Sequence, residues 1–433
     1  MTTSSLHRGS RAAAPLDALG ALALALFPAL MLSRPNPANA CYSLLLALAC
    51  AALAMRRRAD GIGAAGLLRR CWPLMLAMAG LPLALALHET VFTGAVPHIP
   101  YLYLRFALFG LLLWVLYLAG PGRIEWLQWG CAAGAIVSAA WIHGLAGPGR
   151  LNHIGINNAI PFGNLSLLMG VLALLSIGWR RPASNAALAC GGIALRLVGG
   201  AAGLYASYLS GTRGGWIALP AFAVIVLLPF RLRPRIYAGL LAAIVLGLGA
   251  GGYANGWVSQ RVEQAVSSLE EFQHGQDLDS SEGNRLQMWR ASLLMFRDHP
   301  LIGVGPKGYQ PELVRLAQRG IVTPAATAYS HSHNDVLFAL ATLGLPGLAA
   351  ILATYLAPAL FFARRVRHRD AGLRTAAAMG LALCAGFLIF GLTESMFVIT
   401  LTNAFYSLMA AAFVAYAIRR EAQLRAAAAA AQG

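Results

Sequence analysis

The chain carries little charge for its length. Of its 433 residues only 11% are Asp, Glu, Lys or Arg, where a soluble domain carries about 25%. Apolar residues make up 58% and mean hydropathy is +0.63. That deficit excludes an ordinary soluble enzyme and points to a polytopic membrane protein. Lysine is nearly absent: Lys307 is the single one among 33 basic residues. There is no GxxxxGK[ST] loop, so the backbone cradle of an ATP-driven enzyme is missing. The six cysteines (Cys41, Cys50, Cys71, Cys131, Cys190, Cys384) fall in or beside apolar runs. None has zinc-ligand spacing, and they read as small packing residues. We therefore expect no cofactor and no metal. A net charge of +17 would suit nucleic acid. The basic residues, however, sit in short segments between apolar runs, a topology signal rather than a nucleic-acid footprint.

What is present is hydrocarbon. A helix needs about 20 apolar residues to cross a bilayer core. Twelve stretches suit a crossing: 15–33, 40–55, 71–88, 101–120, 126–146, 158–178, 185–209, 214–230, 236–253, 336–362, 375–393 and 397–418. With the N-terminus inside, the inner segments hold twenty-one arginines and the short outer ones three, Arg34, Arg150 and Arg213. That asymmetry places both termini in the cytoplasm. The expected architecture is all-α, with nine helices over 1–253, a large outer loop over 254–335, and three helices plus a tail over 336–433. Ala38-Asn39-Ala40 resembles a signal-peptidase site. Pro35 and Pro37 intervene and the run before it is long, so we read the first helix as retained; cleavage would leave eleven spans.

The outer loop holds nine of the sixteen carboxylates and the lone lysine. Val258, Val262, Val266, Leu269 and Phe272 recur at helical spacing, which predicts a helix over 257–272. Ser280 or Ser281 can cap a second, 282–298, with the apolar stripe Leu286, Trp289, Leu293, Phe296 and a stop at Pro300. Pro311 and Gly320 frame a third, 311–319. Together these predict a helical cap on the outer membrane face. Gly303 to Gly308 matches GxGxxG, but in an exterior loop it reads as a glycine-rich turn rather than a dinucleotide site. Asp277 and Asp279 have the spacing of a metal-holding pair; in so acidic a loop they read as solvated charge.

Four features can carry chemistry. Arg213 lies in the turn Ser210-Gly211-Thr212-Arg213-Gly214-Gly215-Trp216, where its planar donor fork suits phosphate oxygens. It is equally suited to anchor the turn on lipid phosphate. Arg285 lies one helical turn before Trp289, and is either aimed by that ring or simply solvated. The dense polar run Tyr329-Ser330-His331-Ser332-His333-Asn334-Asp335 closes the loop. A histidine there can take a proton from a hydroxyl near neutral pH, with Asn334 and Asp335 as orienting partners. His331 and His333 can alternatively bind a metal, though no third ligand is evident. Finally, Arg105 and Arg196 fall inside spans, where charge is costly and commonly paired or functional. Glu89 and Glu394, at the outer ends of their helices, are partners or substrate contacts on this reading.

The run from Arg285 through Trp289, His299-Pro300 and Gly303-Val304-Gly305 to His333-Asn334 resembles the domain shared by bacterial O-antigen ligases, O-antigen polymerases and protein O-oligosaccharyltransferases. His333-Asn334, nine residues, then Gly344-Leu345-Pro346-Gly347 is similar to the ligase pattern HN-x9-GxxG. Where that pattern commonly continues with Thr or Ser and then Val, this chain has Leu348-Ala349. The resemblance spans about residues 150–420 and implies a GT-C-like glycosyltransferase at the periplasmic face of the inner membrane. Its donor would be a glycan on undecaprenyl diphosphate and its acceptor, for a ligase, lipid A-core. Arg213 and Arg285 would hold the diphosphate and His333 would act as base. Asn334, His331, Trp289, Arg150 and Glu394 are expected in support. The polymerase and protein-glycosylating enzymes differ in acceptor only. A secondary transporter or lipid flippase is the alternative of another class.

Overall fold

The computed structural model describes residues 4–59, 61–92, 101–145, 153–154, 157–179, 186–212, 214–230 and 278–432, with isolated positions at 233, 235–236, 239–240, 242, 263 and 267. Among them the regular structure is helical, with one two-residue antiparallel pair, His153–Ile154 with Asn157–Asn158, and an isolated bridge between Ala59 and Ile62. The helices are α1 (Ser4–Leu30), α2 (Pro35–Ala54), α3 (Ala64–Phe92), α4 (Tyr101–Ala107), α5 (Phe109–Ala119), α6 (Pro121–Ile124), α7 (Leu127–Leu145), α8 (Ala159–Leu175), α9 (Ala186–Leu209), α10 (Leu219–Leu227), α11 (Ser281–Asp298), α12 (Tyr309–Gln318), α13 (Asp335–Ala363), α14 (Ala371–Gly391) and α15 (Thr400–Ala430).

Among the described residues seven helices are long and apolar enough to cross a membrane: α2, α3, α8 with the turn after it, α9, α13, α14 and α15. The stretches expected at 15–33, 101–120 and 214–230 carry shorter apolar helices, Leu16–Leu30, Phe109–Ala119 and Gly214–Phe230. The stretch at 236–253 lies largely outside the described residues, as does the helix expected at 257–272. Small residues let the spans approach, as is usual where no water drives helices together. A Cβ on Gly203 of α9 would stand 2.8 Å from the Gly170 Cα of α8. At the centre is α15, buried without interruption from Leu401 to Ala417.

The arginine-rich segments gather at one end. Arg57 and Arg123 share Asp17 at 2.8 and 2.9 Å. Arg420 grips both oxygens of Asp370, at 3.1 and 2.7 Å, and Arg365 meets Glu421 at 2.8 Å. The α13 and α15 helices carry these pairs at one end and begin beside His333 at the other. Both arginines within spans are tied into the protein. Arg196 donates to the Gln128 side chain at 2.8 Å and to the Ser176 carbonyl at 2.9 Å. Arg105 donates to Asn39 at 3.2 Å and lies 4.1 Å over the Tyr42 ring.

Two of the three helices expected in the loop form close to where they are expected and make up the cap. Ser280 begins α11 by accepting the Gly283 amide at 3.0 Å, an N-cap that satisfies an otherwise orphaned donor. Gly320, at φ +71°, follows α12. The buried face of α11 differs from the expected stripe: Asn284, Met288, Ala291, Ser292 and Met295 face inward, whereas Leu293 is 52% exposed. The cause is its partner. Ala291 and Met295 pack with Tyr309 and Leu313 of α12 and with Phe338 and Ala341 of α13, and small side chains allow that close approach.

Glycines lock the cap to the bundle. Inside α13, Gly344 leaves the helix at φ +63°, ψ −149°. The break frees backbone groups that the turn after α11 then uses: Val304 and Gly305 donate to the Ala341 and Thr342 carbonyls at 3.0 and 2.8 Å, and Leu345 donates to the Pro300 carbonyl at 2.9 Å. Gly303 takes φ +68°, and a Cβ there would strike the Thr342 backbone; a Cβ on Gly344 would lie 2.6 Å from the Ile302 nitrogen. The GxGxxG segment is thus a structural turn, and the glycine of the GxxG pattern is the kink that receives it.

Candidate active site

The polar run 329–335 sits where three pieces meet: the cap, the head of α13, and the segment 392–399 joining α14 to α15. Asn334 caps α13, accepting from the Leu337 amide at 3.0 Å. The same residue donates its backbone N–H to Ser395 Oγ and its side-chain amide to the Leu392 carbonyl, both at 3.1 Å. Ser332 Oγ donates to the Asn334 carbonyl at 2.8 Å, and the Ser332 carbonyl accepts Trp289 Nε1 of α11 at 3.1 Å. Held between these bonds, His333 adopts φ +49°, a left-handed conformation unusual for a residue with a side chain.

His333 Nδ1 lies 2.8 Å from Glu394 Oε1. The Glu394 side chain is buried, and its Oε1 also accepts the Ser395 amide at 3.0 Å. Burial alone would raise the Glu394 carboxyl. The hydrogen bond from His333 and the charges of His333 and His331 outweigh it and bring the group below its ordinary value. A carboxylate at Nδ1 holds the imidazole proton there and leaves Nε2 as a base. The His331 ring stands edge-on at 4.5 Å and the Tyr329 ring at 5.5 Å. Burial, aided by the neighbouring His333 and opposed by Glu394, pushes His331 down to about 4. It is neutral at physiological pH, and its buried Nδ1 has no hydrogen-bond partner among the described residues.

A cleft of about 430 Å³ opens beside His331. Ser330 and His331 form its polar rim; Phe162 and Leu165 of α8, Leu32, and Leu401 of α15 form apolar walls. Asn158 and Thr402 add polar groups to this otherwise apolar lining.

Two expectations are corrected. Asn334 and Asp335 do not orient the imidazole: Glu394, 61 residues away, does. Asn334 caps a helix, and Asp335 is buried against Tyr355 and the backbone of 396–397. A third donor beside the two histidines also exists, since one ligand atom each from His331, His333 and Glu394 lies within 4.8 Å of the others. These three residues can hold a cation. Asp279, by contrast, accepts Thr323 Oγ1 at 2.5 Å, and Asp277 lies outside the described residues.

Arg285 is half-buried on α11, one turn before Trp289, and makes no hydrogen bond or ion pair among the described residues. Arg213 and Arg150 lie outside the described residues. The flanks of Arg213 do not. Thr212 is buried and donates to the Ala159 carbonyl at 2.9 Å. On the other side, a Cβ on Gly214 would lie 2.7 Å from Thr393 Oγ1. This turn therefore abuts the residue next to Glu394. Sequence reasoning had no means of finding Ser395 or Tyr355, whose parts depend on contacts between distant helices.

An uncharacterized protein of Haemophilus influenzae is 24% identical over 203 residues, 46% of this chain and 51% of the relative. The alignment thus spans about half the length of the curated relative. Residues 198–352 match the family model described as O-antigen ligase. That stretch, over which the chain is similar to the family, runs from α9 to the second half of α13.

Proposed function

We propose that the chain is an O-antigen ligase, moving a polysaccharide from undecaprenyl diphosphate to lipid A-core at the periplasmic face of the inner membrane. The observation that carries this reading is the His333–Glu394 hydrogen bond, set in a strained backbone two residues from His331, which lines a largely apolar cleft. An acceptor hydroxyl oxygen attacks the anomeric carbon of the donor sugar. The new C–O bond forms as the bond to the diphosphate oxygen breaks, the electron pair leaving with the lipid diphosphate. The hydroxyl proton passes to His333 Nε2, and Glu394 stabilises the imidazolium. Arg285 and Arg213 would meet the charge building on the leaving group, as preorganised cations do best. Direct displacement inverts the anomeric carbon.

The lipid diphosphate is already an activated leaving group, so the reaction calls for neither ATP nor metal. The His331, His333 and Glu394 donors favour a second reading, in which a cation sits where the proton relay is drawn. Chelator separates them. The proposal expects the purified enzyme to keep full activity in excess chelator, and loss restored by one divalent cation would establish the second reading. A polymerase or protein O-oligosaccharyltransferase would use the same dyad on another acceptor. A transporter commonly needs polar groups at midplane on broken helices, yet Arg105 and Arg196 are engaged by neighbouring helices.

In a ligase-null strain, His333→Ala and Arg285→Ala should each abolish attachment of polysaccharide to lipid A-core while the protein stays in the membrane. Normal attachment by either variant would refute its assignment.

A further inference from the structure

We propose that Asp335 is a positioning residue that presents Glu394 to His333. The inference rests on His333 acting as the base and extends it to a residue that touches neither imidazole nor substrate.

Asp335 opens α13 and is buried. Its Oδ1 accepts the Phe397 amide at 3.0 Å; its Oδ2 accepts the Met396 amide at 3.1 Å and the Tyr355 hydroxyl at 2.7 Å. Those donors, with the N-terminal end of α13, are what a desolvated carboxylate needs. Two of them belong to the short turn Met396–Val398, which follows Glu394 after the single residue Ser395. Tyr355 also stacks on Phe397, centroids 5.1 Å apart, so both ends of the clamp press on one turn. At Gly391 a Cβ would lie 2.6 Å from the Tyr355 hydroxyl and 2.8 Å from Asp335 Oδ2, so that position leaves the pair its room.

The geometry makes a closed frame. His333 and Asp335 flank Asn334 on one strand of backbone; Glu394 and Met396 flank Ser395 on the other. Across the frame run His333 to Glu394, the Asn334 amide to Ser395 Oγ, and the Met396 amide to Asp335. Releasing the Asp335 rung frees the segment to slide, and the 2.8 Å contact at the imidazole is the one that chemistry feels. A carboxylate that only filled space would not need to meet two consecutive amides of the turn that bears the base's partner.

The test uses the full-length purified chain, with transfer from lipid-diphosphate-linked glycan as readout. Asp335→Asn keeps the volume but opposes an amide to backbone donors. It should lower kcat at least about tenfold with donor KM within about twofold, and shift the acidic limb of the pH profile as Glu394→Gln does. Because the two act in series, the double variant should be no slower than Glu394→Gln alone. Full activity of Asp335→Asn, or losses that multiply in the double variant, would overturn the proposal. Should Asp335→Asn fail to fold, Tyr355→Phe decides: it removes one donor and keeps the stacked ring. A fall in kcat alone that vanishes in the Glu394→Gln background supports the clamp, and unchanged kcat refutes it. Full activity of His333→Ala would instead remove the base assignment, an outcome distinct from either.

Discussion

At the scale of single residues, the account depends on a histidine with one nitrogen spoken for. Glu394→Gln should lower kcat by about 10²- to 10³-fold while donor KM changes little, because it removes charge that matters only as the imidazolium forms. Single-turnover kinetics check this, and an equal rise in KM would instead make Glu394 a substrate contact. His331 gives a pH signature. Its folded value of about 4 lies below its ordinary 6.5, so the unfolded chain binds more protons between those limits. Stability contributed by the neutral ring is therefore complete above about 6.5 and falls as pH drops toward 4. Thermal unfolding in detergent should show that loss between about pH 6.5 and about pH 4, and His331→Asn should flatten it. An unchanged slope in the variant would contradict the assignment. His333 and Arg285 were legible in the sequence as residue types in a suggestive order. The role of Glu394 was not, since nothing in a one-dimensional pattern joins positions 61 apart.

At the scale of elements, the kink in α13 and the turn after α11 are one lock. Gly344→Ala and Gly303→Ala each force a side chain into a left-handed backbone and into the opposing main chain. Each should cost about 1–3 kcal/mol, seen as a lower melting temperature in detergent. The double variant should cost less than the sum, since the first already opens the lock; strict additivity would mean the two glycines act separately. Two of the three loop helices predicted from sequence, 282–298 and 311–319, form to within a few residues because caps and breakers, Ser280, Pro300, Pro311 and Gly320, are local signals. It misjudged the inward face of α11. Hydrophobicity marked Leu286 and Leu293, but close packing on α13 selected the small side chains Ala291 and Ser292. A stripe read from one helix takes no account of how near its partner comes.

At the scale of the whole molecule, the ion pairs of Asp17, Asp370 and Glu421 collect the arginines at the end opposite His333. If that end is cytoplasmic, a cysteine at Ala325 in the cap should react with a membrane-impermeant maleimide added outside, and one at Arg367 should not, in a background without the native cysteines. The reverse labelling would invert the topology and remove the periplasmic site. Composition alone disclosed the class of protein, since burying so little charge in so much hydrocarbon leaves few other folds. Among the described residues seven helices meet the requirements for a crossing, and Leu108 divides the apolar run 101–120 into α4 and α5. The central claim is that His333, held by Glu394, deprotonates the hydroxyl that displaces a lipid diphosphate. The most direct measurement is transfer by the purified chain from lipid-diphosphate-linked glycan to lipid A-core, wild type beside His333→Ala, with the anomeric configuration of the product determined. The account predicts an inverted linkage from the wild type and no transfer from the variant; retained configuration, or an equal rate without the histidine, would contradict it.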